Sequence, residues 1–167
     1  MGLNVGDKAP DFTANDQDGN AVKLSSLKGG KVILYFYPKD MTPGCTAQAC
    51  NLRDNYKTLI KQGYEVLGIS TDTEKLHQKF IAKEKLPFRL LSDPEKNVHA
   101  LYDTWVEKSM YGRKYMGTAR KTFVIDEKGK IEEIIEKVDT KNHTSQILSP
   151  AGTKAPASSV KSAKGQK

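Results

Sequence analysis

Two cysteines, Cys45 and Cys50, are the only ones among 167 residues, and they stand five positions apart. The first residues, Met1-Gly2-Leu3-Asn4-Val5-Gly6-Asp7, lack the charged and apolar regions of a secretion signal, so a cytoplasmic address is expected. There, closely spaced cysteines are more often catalytic or redox-active than structural. Two thiols are too few for a disulfide scaffold or for a complete four-ligand zinc or iron–sulfur set, so neither metal nor cofactor is expected. The nucleophile is a thiolate, which needs surroundings that favour negative charge. Cys45 follows Gly44 where a helix is expected to begin, so first-turn N–H groups and the positive end of the helix dipole should face its sulfur. The competing reading of Cys45 alone is a small residue packed under a loop.

Cys50 shifts that balance. In a regular helix, residues five apart have Cα atoms about 8–9 Å apart on diverging faces, whereas a disulfide needs about 4.4–6.8 Å. The pair can join only if the first turn, or the stretch around Ala49, unwinds. That makes a poor staple and a workable switch: reduced and helical, oxidised and locally melted.

The elements that must position the pair follow from periodicity. Phe12–Asn15 and Ala21–Leu24 flank a turn at Asp18-Gly19 and predict an N-terminal β-hairpin. The continuous apolar run Lys31–Tyr37 predicts a buried central strand, ended by Pro38. A loop to Gly44 leads into a helix from Cys45 to about Lys61, with Ala49, Leu52, Tyr56, Leu59 and Ile60 on one face and Gly63 as its C-cap. Tyr64–Ser70 completes a right-handed parallel βαβ unit. A helix capped by Asp72 or Thr73, a short strand Phe88–Leu91 and a helix opening at Asp93-Pro94-Glu95 come next. Trp105–Ala119 reads as a long irregular segment, and Thr122–Asp126 with Lys130–Ile135 as an antiparallel hairpin. This order predicts an α/β fold, a mixed central sheet with helices on both faces. Residues 1–148 form one domain, and Ser149–Lys167, rich in Lys, Ser and Ala, is expected to be a disordered tail.

The segment Tyr35-Phe-Tyr-Pro38-Lys-Asp-Met-Thr42-Pro43-Gly44-Cys45-Thr46-Ala-Gln48-Ala-Cys50-Asn-Leu-Arg53-Asp54 resembles the active-site segment of peroxiredoxins. Within them it is similar to the bacterioferritin comigratory protein, or peroxiredoxin Q, group, including the second cysteine. The resemblance continues through Val66–Asp72, Leu90–Asp93, Glu107–Gly112 and Arg120–Asp126, covering about residues 3 to 148. It implies a thioredoxin-like fold and a thiol-specific peroxidase of antioxidant defence. In that reading Cys45 attacks the hydroperoxide and becomes a sulfenic acid. Thr42 orients the peroxide and bonds near the sulfur, Pro38 shields the thiolate, and Arg120 stabilises charge moving onto the leaving oxygen. Cys50 then resolves the sulfenic acid as an intramolecular disulfide, which thioredoxin or a similar dithiol reduces. The group is usually monomeric. One departure is that the closing helix, Asn142–Leu148, has only two turns before Ser149-Pro150.

Other signals carry less. Of the formal charge of +7, four lysines beyond Pro150 with no acid account for all but +3, so no specific nucleic-acid partner is expected. No apolar run approaches a membrane span. Lys28-Gly29-Gly30-Lys31-Val32 lacks the Ser or Thr of a phosphate loop, and the sequon Asn142-His143-Thr144 has no meaning without secretion. His77 reads as a solvated surface residue, His99 as half-buried beside Tyr102, and His143 as a cap of the last helix. Trp105, Tyr111 and Tyr115 read as packing residues of the long segment. A general thiol–disulfide oxidoreductase would want Cys-x-x-Cys rather than four intervening residues. A polyanion-binding protein acting through the lysine tail is the other alternative.

Overall fold

Every residue of Val32–Tyr37 is buried, and successive side chains enter two different cores. Val32, Leu34 and Phe36 point to one and Ile33, Tyr35 and Tyr37 to the other, as the two-residue period of a strand requires. Burial of each large apolar side chain contributes about 1.5–3 kcal/mol, so this strand, Lys31–Phe36, anchors the fold. The computed structural model describes residues 2–148; the tail expected at Ser149–Lys167 lies outside them.

Nine strands are described: β1 (Thr13–Asn15), β2 (Ala21–Lys23), β3 (Lys31–Phe36), β4 (Tyr64–Ser70), β5 (Arg89–Ser92), β6 (Trp105–Met110), β7 (Arg113–Thr118), β8 (Lys121–Ile125) and β9 (Ile131–Ile135). Seven form one mixed sheet in the order β2-β1-β5-β4-β3-β8-β9. β3 runs parallel to β4, and β4 to β5, while β8 lies antiparallel to β3 on its other side. Five α-helices are described, α1 (Pro43–Asp54), α2 (Tyr56–Lys61), α3 (Glu74–Glu84), α4 (Asn97–Leu101) and α5 (His143–Leu148), with a 3-10 turn at Leu24–Leu27. Residues of α1, α2, α3 and α5 share the core of Tyr35, with Ala49, Leu52, Leu59, Phe80 and Ile147 among them. α4 covers the opposite core through Val98, together with the N-terminal segment through Ala9, Phe12 and Val22. The N-terminal hairpin, the βαβ unit, the two-faced sheet and the short closing helix agree with the sequence reading.

Three local expectations are corrected. The helix after Cys45 is two helices, because Asn55 leaves helical geometry and turns its side-chain amide back to the Asn51 carbonyl at 2.8 Å. The helix expected to open at Asp93 begins at Asn97, after a turn in which Lys96 takes a left-handed φ of 63°. Most importantly, Trp105–Thr118 is not irregular. It is a two-stranded hairpin, β6 against β7, turned by Tyr111 and Gly112 at positive φ.

Candidate active site

The end of β3 delivers the chain to α1 through the loop Pro38–Thr42. Thr42 is the N-cap in extended geometry, yet its hydroxyl donates to the Lys39 carbonyl at 2.8 Å instead of capping. Pro43 has no N–H to satisfy, which suits the first helical position. The first-turn amides of α1 therefore have no side-chain cap, and the positive end of the helix dipole lies beside Cys45, the third helical residue. Cys45 is 1% exposed.

Arg120 reaches the same point from the sheet. The register pairs Phe36 with Lys121, which sets Arg120 level with Tyr37 at the mouth of the loop. Its Nη2 donates to Cys45 Sγ at 3.4 Å and its Nη1 to Gln48 Oε1 at 2.8 Å. Gln48 is fully buried one helical turn after Cys45, hence on the same face. Gly44 makes room: a Cβ there would stand 3.2 Å from Arg120 Nη2. Lys108 of β6 adds a second cation to the neighbourhood, and burial followed by the charge of Arg120 pushes its ammonium below the usual lysine value.

A buried network fixes the loop. Tyr37 donates its hydroxyl to Asp40 Oδ1 at 2.6 Å, and His77 Nδ1 lies 2.6 Å from Asp40 Oδ2. The Asp40 amide donates to Asp72 Oδ2 at 2.8 Å, and the Ser70 hydroxyl donates to the same oxygen at 2.7 Å. His77 Nε2 meets the Leu91 carbonyl at 2.9 Å, so that nitrogen carries a hydrogen. Asp40, Asp72 and His77 gather possible ligand atoms within 4.8 Å, but all three are committed to hydrogen bonds inside the protein. Met41, between this anchor and Thr42, sits at φ 65°, a left-handed conformation uncommon for such a side chain.

The second cysteine lies on the same uninterrupted helix, and both thiols are free. Cys50 is half-buried and donates its S–H to Glu84 Oε1 at 3.4 Å. Burial, then that hydrogen bond, pushes its thiol above the ordinary value, against the opposing charge of Arg53.

A nucleophile-type cysteine beside an uncapped helix end and a buried arginine fork finds its counterpart in known proteins. The AhpC/TSA family model matches residues 5–134. The chain belongs to the AhpC/TSA family. Peroxiredoxin Bcp of Escherichia coli K12 is 49% identical over 146 residues, which cover 87% of this chain and 94% of that protein. Peroxiredoxin Bcp of Bacillus subtilis 168 is 42% identical over 148 residues, covering 89% and 94%. Among solved structures, peroxidoxin BcpB of Mycobacterium tuberculosis superposes with a TM-score of 0.77 at 35% identity, over 87% of this chain and 94% of that one. A PrxQ variant from Xylella fastidiosa gives 0.83 at 29% identity, over 89% and 94%. The protein is thus a thiol peroxidase of the peroxiredoxin type with a thioredoxin-like fold; peroxides are its substrates and a thiol its reductant.

In this peroxiredoxin the structure brings together Cys45, Arg120 and the Thr42 loop, and sets Pro38, half-buried, at the entrance to that loop. The Thr42 hydroxyl is turned to the Lys39 carbonyl rather than to the sulfur. Three histidine expectations need correction. His77 is not a surface residue but fully buried in the Asp40 network. His99 is fully rather than half-buried, bonded to Asp93 Oδ2 at 2.6 Å and Thr118 Oγ1 at 2.9 Å. His143 opens α5 but is fully buried between Gln146 and Thr122. Trp105 and Tyr115 lie on β6 and β7, and Tyr111 at the hairpin turn is 97% exposed and packs nothing. The sequence reading missed Gln48, Asp40, Glu84 and Lys108. Only Gln48 carried a signal, its helical spacing from Cys45. Among the described residues, no helix is long and apolar enough to cross a membrane.

Proposed function

We propose that Cys45 is the attacking thiolate and Cys50 its resolving partner in a thioredoxin-linked cycle that reduces hydrogen peroxide and organic hydroperoxides. The observation that carries this is the Arg120 guanidinium 3.4 Å from Cys45 Sγ at the uncapped start of α1. Cys45 attacks the distal peroxide oxygen, the O–O bond breaks, and the leaving oxygen departs as alkoxide or hydroxide and takes up a proton. Arg120 supplies fixed positive charge where negative charge develops, and needs no reorganisation because Gln48 already holds it. The Thr42 hydroxyl, donating to Lys39, keeps lone pairs with which to accept a hydrogen bond from the peroxide O–H. Pro38 limits water at the sulfur. The sulfenic acid at Cys45 then condenses with Cys50, losing water as the disulfide forms, and a dithiol restores both thiols by exchange.

Because α1 is continuous from Pro43 to Asp54, condensation requires it to unwind locally. The cycle needs a single chain, consistent with a monomer, and thioredoxin in the cytoplasm supplies the dithiol chemistry. The test is peroxide consumption by the reduced protein, with intact mass recorded before and after one equivalent. Loss of two hydrogens, absent in Cys45→Ser, is expected. Cys50→Ser should still consume one equivalent, stop there, and over-oxidise at Cys45 under excess peroxide. Normal thioredoxin-linked turnover by Cys50→Ser would overturn the resolving assignment.

A further inference from the structure

Cys50 does not wait free for its partner. Its thiol donates to Glu84 Oε1 at 3.4 Å, at the last residue of α3. The same end of α3 receives Arg53 from α1: Nη1 donates to the Glu84 carbonyl at 2.7 Å and lies 3.9 Å from Glu84 Oε1. That carbonyl is one of the helix's terminal acceptors with no partner of its own helix, so Arg53 both caps α3 and ties α1 to it. Asn51, between them, binds the start of α5, donating to the Lys141 carbonyl and accepting from the Thr144 amide at 2.8 and 2.7 Å. The stretch of α1 that must loosen for Cys50 to reach Cys45 is therefore held at three points, one of which is the reacting thiol.

We propose that Glu84 is a positioning residue that keeps Cys50 docked as a thiol on the intact helix and so sets how fast the disulfide forms after peroxide attack. The proposal rests on Cys50 being the resolving cysteine. The reaction is the condensation already described. Cys50 loses its proton to solvent as it leaves the carboxylate, its sulfur attacks Cys45 Sγ, the S–O bond breaks, and the hydroxide leaves as water. The sulfenic sulfur is reduced and the Cys50 sulfur oxidised, with no further reagent.

Glu84 opposes this step twice. Its hydrogen bond must break before the helix unwinds, and its charge disfavours thiolate beside it. Of the titratable groups around Cys50, Glu84 on α3 and Asp54 on α1 favour the thiol, Arg53 on α1 favours the thiolate, and the buried phenol of Tyr35 on β3 lies within electrostatic reach. A thiol held above its ordinary value in the docked state stabilises docking below that ordinary value and loses the contribution as pH rises through the raised one. A slow release favours the assembled peroxide pocket over the disulfide, and lengthens the time the sulfenic acid is open to a second peroxide.

The experiment is a single turnover of the full chain with one equivalent of hydrogen peroxide, quenched at intervals and weighed, so that sulfenic acid and disulfide are separately counted. Wild type, Glu84→Gln and Glu84→Asp are compared from about pH 6 to 9.5, a span that crosses the ordinary cysteine range. At neutral pH, Glu84→Gln should form the disulfide roughly three- to tenfold faster, because a neutral amide oxygen accepts the thiol more weakly than a carboxylate and carries no charge against the thiolate. The gap should close as pH rises and the wild-type thiol ionises, and Glu84→Asp should restore the wild-type profile. Equal rates in wild type and Glu84→Gln, a gap that ignores pH, or slower resolution in Glu84→Gln would each overturn the proposal; the last would make Glu84 a proton acceptor. A wild type that consumes peroxide without ever joining Cys45 to Cys50 would overturn both this proposal and the resolving role. Failure of the Glu84 comparison alone would leave that role standing.

Discussion

Gln48 Oε1 accepts a 2.8 Å hydrogen bond from Arg120 Nη1, and through it α1 holds the arginine that the sheet delivers to the sulfur. One end of the fork is fixed by a fully buried amide, so the other, Nη2, is aimed at Cys45 without a search through rotamers. The bond also sets the amide orientation of Gln48, because a guanidinium can only donate.

Arg120→Ala should therefore slow the first-turnover loss of peroxide by about a hundredfold, the scale of removing one preorganised donor from developing charge. Arg120→Lys should recover only part of this, since a lysine ammonium cannot bond Gln48 and Cys45 as a fork. Gln48→Leu keeps the charge but frees it, and a smaller loss, about tenfold, is expected. Stopped-flow peroxide consumption checks all three, and an unchanged Arg120→Ala rate would remove Arg120 from the chemistry.

Gly44 offers a test in which stability and rate separate. Helix propensity favours alanine over glycine by up to about 1 kcal/mol. Yet the new Cβ would lie 3.2 Å from Arg120 Nη2, closer than ordinary contact, and the guanidinium must shift. Gly44→Ala should unfold no earlier than wild type in urea while attacking peroxide several-fold more slowly, because a displaced donor loses its alignment. Undiminished attack would mean that the position of Arg120 tolerates movement.

How much of this was legible in the sequence depended on whether the signal was local. The buried strand β3, the helix start at Pro43-Gly44-Cys45 and the terminal two turns at His143–Leu148 follow from periodicity and breakers within a few residues. The resemblance supplied Arg120, which no local rule connects to Cys45 across 75 positions. The Asp40–His77 bond, spanning 37 positions, was invisible because a histidine among Lys and Gln on a polar helix looks solvated. Glu84 was hidden for the same reason: its partner, Cys50, is 34 positions away. The β6–β7 hairpin was lost because Lys, Gly and exposed Tyr dilute its alternation.

The buried His77 should be worth more to stability than its partner's charge. His77→Leu leaves Asp40 Oδ2 and the Leu91 carbonyl without their partner in the interior, a change that costs about 3–5 kcal/mol when a buried pair is broken. Asp40→Asn is different. An amide can accept from Tyr37 and donate to His77 Nδ1, while Nε2–H still serves Leu91, so every bond is reproduced. That change should cost less than about 1.5 kcal/mol, the net worth of a typical hydrogen bond. Chemical denaturation of both variants decides it, and a larger loss in Asp40→Asn would mean that the ionic form of the pair matters.

His143 gives the stability a pH dependence whose sign is fixed by its surroundings. Burial, and then the charge of Arg120, push its imidazole below the ordinary value of 6.5, against an opposing bond to Gln146. Gln146 Oε1 can only accept, so Nδ1 carries the hydrogen and Nε2 accepts from the Thr122 hydroxyl at 2.8 Å; the folded state holds the neutral ring. The unfolded chain binds a proton below about 6.5 that the folded protein refuses, so this contribution to stability is complete above that pH and declines as pH falls toward the depressed value. Urea unfolding at about pH 7.5 and pH 5.5 should show lower stability at the acid point. In His143→Gln the difference should shrink, even though the variant is weaker at both, because it has no ring to protonate. An undiminished acid loss in that variant would assign the effect to another group.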